Sequence, residues 1–571
     1  MAVLFEKNPL VWKKTDGIYV AEQDVPGPVK IIGSNICKVV GQFPWGPKNK
    51  LLEIGSPNEV QDKLLGGHAT PADYGGYRAL KGKQFGPLRV VAVEAQDAVK
   101  ATITIRDAAE VTVDTLDDAA TYNLEITDGA VTTTYPYAAQ GGDAAADVLE
   151  GLEAAVAADA DAVVAASYDA ANTKLLVTGN GSESWSLAVS ADATGVLAKV
   201  DPSNAITYTA KYSGAPANGI GVVHQKTSAT EFKAIIYWGN VQQEVGPFEF
   251  DADGMTQASA ASDYFDVALH VDAGSNPETR TNAVEMAGGD DGTLVDTDWT
   301  GTGTAMEGLR VLEQAERRGY VFAAEYTSST WIAALEEHLD LKGSEGGAQA
   351  DTSNDFDTNA TAAQAIANER LEFMLHRVVQ IVDGQEHVVD LTPFYGAVWS
   401  QIPPHFSVAD FDNRDLLGAI KGLPDGVALD WPQWRKAQEV GGVTLERLQT
   451  GGWKFHASIT SDPLKPSEVD RRLKDVVGDS IGYALLPFQN KPAMQLYVDD
   501  AQAAIEQVLE EMQSEGGTPA EQMIADFFVE EKSQSATTLI FNVDVEFHGE
   551  IRYLVANLTA GAGITITERA V

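Results

Sequence analysis

Cysteine is nearly absent: the 571 residues include a single one, Cys37. One cysteine cannot form an intrachain disulfide or a cysteine-based zinc cluster. The nine histidines are scattered, and none shows the H-E-x-x-H spacing or another paired-ligand spacing. We therefore expect no metal centre and no cofactor, and we predict that Cys37, which lies in an apolar strand, is a small core residue.

Basic residues and long apolar runs are also scarce. Lys and Arg number 40 against 83 Asp and Glu, so the formal net charge is −43. Phosphate contacts need basic patches, which argues against a nucleic-acid partner. No window approaches the roughly 18 unbroken apolar residues of a membrane helix, and the N-terminus lacks the layout of a secretion signal. The acid excess favours either simple solubility or adaptation to high salt.

The remaining composition is that of an ordinary globular protein, with 44% hydrophobic and 22% charged residues. A chain of this length accommodates roughly three to five domains. Strand-like and helix-like runs are intermixed, and no short-period repeat is present. The sequence therefore predicts an α+β or α/β multidomain fold.

One segment differs sharply from the rest. Between residues 97 and 205, Ala, Asp and Thr dominate and basic residues are few. Several of its runs alternate with period two, which is typical of strands, and 144–160 has the apolar spacing of an amphipathic helix. We interpret 97–205 as an inserted α+β domain, after which the main chain resumes at 206.

Elsewhere, hydrophobic periodicity predicts individual elements. The continuous apolar run 88–95 predicts a central strand, and a capping box predicts a helix over 56–66. Residues 303–319 have helical spacing. The polar, Gly-rich stretch 341–362 predicts an exposed loop, and the apolar run 481–488 predicts a strand.

One motif suggests catalysis. GDSIG at 478–482 fits the G-x-S-x-G pattern of a hydrolase nucleophile elbow, which needs a strand before the serine and a helix after it. Here helix-spaced residues precede Ser480 and an apolar run follows, so the order is reversed and Ser480 is predicted to lie on the last turn of a helix. A halophilic secreted hydrolase using Ser480 is the alternative function. The order of helix and strand around 470–488 distinguishes this alternative from a serine that is not catalytic.

No other enzyme constellation is present. The acidic turns 251–254 and 288–293 lack the alternating ligands and distal glutamate of a calcium loop, so we predict turns held by Asx hydrogen bonds. There is no P-loop and no dinucleotide-binding fingerprint. The sequence therefore predicts a protein that is not an enzyme.

Four stretches together resemble the sheath protein of contractile phage tails. The first, GIYVAEQDVPGPVKIIGSNICKVVGQFPWGP (17–47), has a Tyr-Val strand and a Gly-Pro loop. The second, AKYSGAPANGIGVV (210–223), has an Ala-x-Tyr signature with Ser213 and Ala217 in place of the usual Pro and Gly. The third, MAGGDDGT (286–293), is a Gly-Gly-x-Asp-Gly loop, and the fourth, VDRRLKDVVGDSIGYALLPFQNKP (469–492), begins with a helix that contains paired arginines.

The resemblance implies a structural subunit that polymerises as stacked hexameric rings around an inner tube. Contraction of the sheath would drive the tube through the host cell envelope. The implied partners are other copies of the chain, the inner tail tube protein, and the baseplate and tail terminator proteins, within a virion assembled in the host cytoplasm. The sheath of a related contractile injection device, such as a bacteriocin-like particle or a secretion system, is an alternative. In the family pattern Ser480 is a helix residue.

The resemblance also divides the chain into a tail-sheath-like core of discontinuous domains with terminal arms. The implied parts are an N-terminal arm and linker (1–30), the N-terminal part of the core (31–96), the inserted outer domain (97–205), a middle domain (206–400), a tube-proximal C-terminal domain (401–560) and a C-terminal arm (561–571).

Two sets of site residues follow from the resemblance. Terminal strands are expected to add to sheets in adjacent subunits, a form of β-augmentation; they contain Ile18, Tyr19, Val20, Ile564, Thr565, Ile566 and Thr567. Frayed chain ends are the alternative; strand-donating arms are preferred because a period-two strand at each chain end would otherwise be an unprotected edge. A basic cluster in the helix at 467–481, formed by Arg471, Arg472 and Lys474, is a candidate contact to an acidic tube. Pairing of these residues with Glu468, Asp470 and Asp475 within the chain is the alternative.

Overall fold

The computed structural model describes two compact units, one within residues 34–472 and one from residue 473 onward. The described residues are 35–548, 555–559 and 563–567, except 107, 129–130, 180–184, 201–204, 270–275, 278, 280–282, 304, 316–317, 352–354, 425, 427–428, 450, 463, 465–466, 489–494, 515–521 and 535–538. The N-terminal candidates Ile18, Tyr19 and Val20 lie outside them, so their arm role stays a prediction.

The first segment begins with a fully buried strand. Its elements are β1 (Cys37–Gly41), β2 (Leu51–Ile54), α1 (Pro57–Val60), α2 (Gly75–Leu80) and β3 (Leu88–Ala92). The apolar run predicted as a central strand is β3, which pairs in parallel with β1. The predicted helix at 56–66 begins as α1, where the amide of Glu59 donates to Ser56 Oγ at 3.4 Å, and continues as a π-helical turn over Gln61–Leu65.

The Ala-, Asp- and Thr-rich segment contains its own hydrophobic core. Its elements are β4 (Thr102–Arg106), β5 (Ala109–Thr115), β6 (Thr121–Asp128), β7 (Val131–Ala138), α3 (Ala145–Ala157), β8 (Val164–Asp169), β9 (Lys174–Gly179), β10 (Trp185–Ala191), β11 (Val196–Val200) and β12 (Ala205–Ala210). Two sheets, β10-β6-β7 and β11-β5-β9-β8, share a core with α3 whose buried members all lie between Ala109 and Leu197.

The two ends of this segment lie side by side. Strands β4 and β12 are antiparallel neighbours, and Arg106 is directly opposite Ala205. The chain therefore leaves one strand of a small sheet, forms the two-sheet module and returns on the adjacent strand.

The next segment folds around aromatic residues. Its elements are β13 (Gly221–Lys226), β14 (Glu231–Trp238), β15 (Val241–Glu249), α4 (Ala252–Ala261), β16 (Phe265–Leu269), β17 (Val284–Glu285) and α5 (Asp296–Thr300). The sheets β15-β14-β13-β17 and β16-β12-β4 enclose one core, to which Trp45 of the first segment also belongs.

The last part of the larger unit completes a central sheet. Its elements are β18 (Tyr320–Ala323), α6 (Ser329–Lys342), β19 (Glu345–Gln349), α7 (Phe356–Ile366), β20 (Leu371–Met374), β21 (Val378–Val382), β22 (Gln385–Val389), α8 (Thr392–Gln401), β23 (Ile420–Gly422), α9 (Trp431–Glu439), β24 (Gly442–Val443), β25 (Leu445–Arg447) and β26 (Trp453–Phe455). Residues 303–319, predicted as a helix, contain a 3-10 helix over Gly308–Gln314.

The central sheet has seven strands in the order β2-β3-β1-β18-β19-β20-β24. All neighbours pair in parallel except β2, which is antiparallel to β3 at one edge. One face packs against α8, and the opposite face packs against α6 and α7. Helices on both faces of a parallel sheet make this an α/β layer.

The predicted exposed loop over 341–362 is wrong, because it contains β19, a fully buried strand between β18 and β20. Its glycines are a packing requirement and not a loop signal. A Cβ on Gly347 would clash with the hydroxyl of Tyr320 on the neighbouring strand. Small residues here let the sheet accept the tyrosine ring beneath α8.

The C-terminal unit contains the long helices and strands of the chain end. Its elements are α10 (Glu468–Leu485), whose first turn belongs to the larger unit, α11 (Gln495–Ser514), β27 (Ile524–Gln534), β28 (Leu539–Phe547), β29 (Val555–Thr559) and β30 (Gly563–Thr567). The strand predicted over 481–488 is wrong, since α10 extends to Leu485 and a 3-10 turn covers Leu486–Phe488.

Candidate assembly surfaces

Three of the four sheath-like sequence stretches meet in the larger unit. Trp45 of the first stretch packs edge-on against Tyr212 of the second, with ring centroids 4.9 Å apart. The side-chain amide of Asn218 in the second stretch donates to the carbonyl oxygen of Gly289 in the third at 3.0 Å, and the Gly289 amide donates back to Asn218 Oδ1 at 2.8 Å. These stretches therefore form a structural junction.

Close backbone approach explains the glycines at this junction. Gly214 has φ 127°, and a Cβ there would lie 2.6 Å from Asp291 Oδ1. Asp291 accepts hydrogen bonds from the Ala215 amide at 3.1 Å and from the Tyr74 hydroxyl at 2.7 Å. Only glycine tolerates both the left-handed conformation and the crowding.

The acidic turns are structural, as predicted. In the turn at 288–293 the Gly292 amide donates to Asp290 Oδ1 at 2.9 Å. In the turn at 251–254 Asp251 caps α4 by accepting from the Gly254 amide at 2.7 Å. Among the described residues, no group of three or more His, Cys, Asp or Glu side chains has the arrangement to hold a metal ion.

Ser480 does not occupy a nucleophile elbow. It is a buried residue within α10, with helix on both sides. A strand–turn–helix context is what exposes the serine of a hydrolase, so the hydrolase alternative is wrong. Cys37 is fully buried, and burial raises the pKa of its thiol far above the usual range. No helix in the described ranges is both long and apolar enough to span a bilayer.

The three basic residues of the candidate tube contact differ in their burial. Arg472 is 1% exposed. Its guanidinium lies 4.5 Å from the ring centroid of Trp399 and donates to the carbonyl oxygens of Trp399 and Ile402, both at 3.1 Å. A charge enclosed in this way cannot reach a tube, so the prediction is wrong for Arg472. Its ion pair with Glu468, at 3.4 Å, is the predicted intramolecular alternative.

The other two basic residues lie nearer the surface. Arg471 is partly exposed and pairs with Glu369, with 3.1 Å between Nη1 and Oε1. Lys474 is exposed on α10. A tube contact through Arg471 and Lys474 stays a prediction.

Arg472 belongs to a set that we call the buried carboxylate cluster, which consists of Glu345, Glu372, Glu468 and Arg472. Sequence reasoning missed its two sheet members, which are isolated glutamates in strands. Ser458 donates to Glu468 Oε2 at 2.6 Å, and Trp399 Nε1 donates to Glu345 Oε2 at 2.9 Å. Burial, followed by repulsion from Glu345 and Glu468, raises the pKa of Glu372 well above its usual range.

The C-terminal candidates lie on a strand of a two-stranded ribbon. Strand β30, which contains Ile564, Thr565, Ile566 and Thr567, pairs antiparallel with β29. Strands β27 and β28 form a second ribbon. Within the described residues each ribbon has only two strands, so both outer edges are open to a further strand. Addition of β30 to another subunit stays a prediction.

Comparison with known proteins identifies the fold. No family model matches the chain, and no curated protein sequence matches it. Its structure is similar to the sheath tail protein from Desulfitobacterium hafniense, with a TM-score of 0.51 and 13% identity, over 93% of this chain and 100% of that one. The sheath tail protein from Listeria innocua gives a TM-score of 0.50 and 13% identity, over 91% and 96%. Both neighbours are structural sheath proteins and not enzymes.

Proposed function

We propose that this chain, whose fold is that of sheath tail proteins, is the structural subunit of a contractile tail sheath. The observation that carries the proposal is the extent of the structural similarity, which covers 93% of this chain and the whole of the Desulfitobacterium hafniense protein. The chain would polymerise as stacked six-membered rings around an inner tube.

The C-terminal ribbons supply a means of linking copies. A two-stranded ribbon offers unpaired backbone donors and acceptors on both edges. A strand donated by another copy would satisfy them, and main-chain hydrogen bonds hold such a strand whatever its side chains. We assign this role to β30 as donor and to the β27–β28 ribbon as an acceptor in a neighbouring subunit.

Contraction needs no active site. A sheath that shortens stores free energy in the packing of its subunits, as an element with two discrete arrangements. The proposed partners are other copies, the inner tube, and the baseplate and tail terminator proteins. Residues 97–205 would form an outer domain, because the core between Ala109 and Leu197 is separate and the chain enters and leaves it on the adjacent strands β4 and β12.

Electron microscopy of the purified full-length chain tests the proposal. Negatively stained preparations, taken from low to high salt, should contain hollow tubes of uniform diameter with regular transverse striation. Monodisperse particles at every salt and protein concentration, in a sample that is folded by circular dichroism, would contradict the role of sheath subunit.

A further inference from the structure

The buried carboxylate cluster lies between the central sheet and α8. Glu345 begins β19, Glu372 lies on β20, and Glu468 and Arg472 form the first turn of α10. The exposed fractions of Glu345, Glu372, Glu468 and Arg472 are 3%, 0%, 0% and 1%. Three carboxyl groups therefore share a solvent-inaccessible site with one guanidinium.

Charge counting requires a bound proton in this site. If all three carboxyl groups were ionised, the three carboxylates and one guanidinium would give a net charge of −2 that bulk solvent cannot reach. Burying an uncompensated charge costs several kcal/mol, and a buried group takes up a proton instead. At least one of the three glutamates is therefore protonated at neutral pH.

Hydrogen bonding identifies the glutamate that holds the proton. Glu345 accepts from Trp399 Nε1, and Glu468 accepts from Ser458 and pairs with Arg472. Neither oxygen of Glu372 accepts a hydrogen bond from another residue in the part of the chain that the structure describes. An ionised carboxylate is stabilised by donors, so Glu345 and Glu468 stay charged and Glu372 is neutral.

We propose that protonated Glu372 is a switch that anchors the first turn of α10. While Glu372 is neutral, Arg472 balances Glu468 and bonds to the carbonyl oxygens of Trp399 and Ile402. When Glu372 loses its proton, a third negative charge appears beside Glu345 and Glu468, and the turn that carries Glu468 separates from the sheet.

The other titratable groups that face the cluster do not oppose this switch. Tyr320 of β18 and Tyr395 of α8 are fully buried, and burial raises the pKa of both phenols well above the usual range. Cys37 of β1, which faces Tyr320, stays a neutral thiol for the same reason. Arg472 is the cation whose charge opposes the rise in the pKa of Glu372.

The direction of the pH dependence follows from the raised pKa of Glu372. A carboxyl group whose pKa is higher in the folded state contributes full stability below its unfolded pKa, near 4.5. That contribution is lost as the pH rises toward the folded pKa. Anchoring should therefore weaken as the pH rises above about 4.5. Arg472 is the last residue of the larger unit, so the switch controls the point at which the chain leaves that unit.

Hydrogen–deuterium exchange of the full chain tests the switch, after correction for intrinsic exchange rates. In the wild type, the protection of the peptide 467–477 should fall as the pH rises above the unfolded-state pKa near 4.5, by at most about tenfold per pH unit, the linkage expected for release of one proton. Glu372→Gln, a permanently neutral isostere, should keep the protection constant as the pH rises. The matched control Glu336→Gln, on α6 outside the cluster, should retain the wild-type slope.

Two results would overturn the proposal. One is a wild-type protection of 467–477 that does not change with pH. The other is a slope in Glu372→Gln equal to that of the wild type. If Glu372→Gln does not fold, the wild-type slope at 467–477 is compared with that at α3, residues 145–157. A fall of protection with pH that is confined to 467–477 supports the switch, and an equal fall at 145–157 contradicts it.

Discussion

Replacing Arg472 with methionine should destabilise the larger unit strongly, because it leaves the buried Glu468 without its cation. The residue makes two charge-assisted hydrogen bonds to backbone carbonyls, an ion pair and a cation–π contact. Breaking a buried pair from one side costs about 3–5 kcal/mol, since the remaining charge has no counterion. We expect a loss of unfolding free energy in that range for Arg472→Met.

The double variant Arg472→Met with Glu468→Gln should recover much of the loss, since it removes both charges and keeps their volume. Denaturation in urea, followed by hydrogen exchange of the α8 peptide 392–402, reports on the unit that contains the pair. The matched control is Lys474→Met, two residues further along α10 and exposed, which should change the free energy by less than about 1 kcal/mol. A loss below about 1 kcal/mol for Arg472→Met would refute the account of a buried ion pair.

Four further predictions concern assembly. Deleting residues 107–204 and joining Arg106 to Ala205 through an Asn-Gly turn should leave tubes intact in micrographs, because these residues are opposite each other on paired strands and the deleted core is separate. Removing 564–571 should leave a folded chain, by circular dichroism, that forms no tubes, because β30 contributes to a neighbour more than to its own core. The double variant Arg471→Gln with Lys474→Gln should weaken tube binding at low salt without affecting self-assembly. Salt itself should favour polymerisation of a chain with charge −43, since the Debye length falls from roughly 30 Å at 0.01 M to about 3 Å at 1 M.

Controls separate these effects from general damage. A Gly/Ser tail of equal length in place of 564–571 tests whether a strand-forming sequence is needed, and tubes of normal length from it would contradict the arm assignment. The double variant Arg435→Gln with Lys436→Gln, which removes two basic residues of exposed ion pairs on α9, is the charge-matched control for the basic residues of α10. Loss of tubes by the folded deletion of 107–204 would show that this module belongs to the lattice. Binding to the tube that is indifferent to both salt and the double substitution would exclude an electrostatic contact.

The elements that the sequence predicted correctly are those in which local pattern and tertiary role agree. The apolar run of β3 is a central strand, and the amphipathic spacing around 144–160 is α3, whose buried face includes Val148, Leu149 and Leu152. In both, periodicity alone determines which residues face the core.

The errors arise where tertiary contacts override local signals. Strand β19 contains Gly346 and Gly347, which indicate a loop locally. A Cβ on Gly347 would clash with the hydroxyl of Tyr320, and one on Gly346 would lie 2.7 Å from the carbonyl oxygen of Val321. The run 481–488 is apolar enough for a strand, yet its first residues continue α10.

The burial of Arg472 was not predictable from the sequence either. Its partners Trp399 and Ile402 are about 70 residues away in the chain. The neighbouring Arg471 has the same local context but pairs near the surface with Glu369. Only the packing of α10 distinguishes the two arginines, and so the predicted three-residue tube contact is reduced to Arg471 and Lys474.

The most direct test of the central claim is a helical reconstruction of the purified, polymerised chain by electron cryomicroscopy. The account predicts six subunits per ring, a hollow lumen, and β30 of each subunit hydrogen-bonded to the sheet of an adjacent copy. A filament in which β30 remains paired only with β29 of its own chain, or a lattice without a lumen, would contradict it.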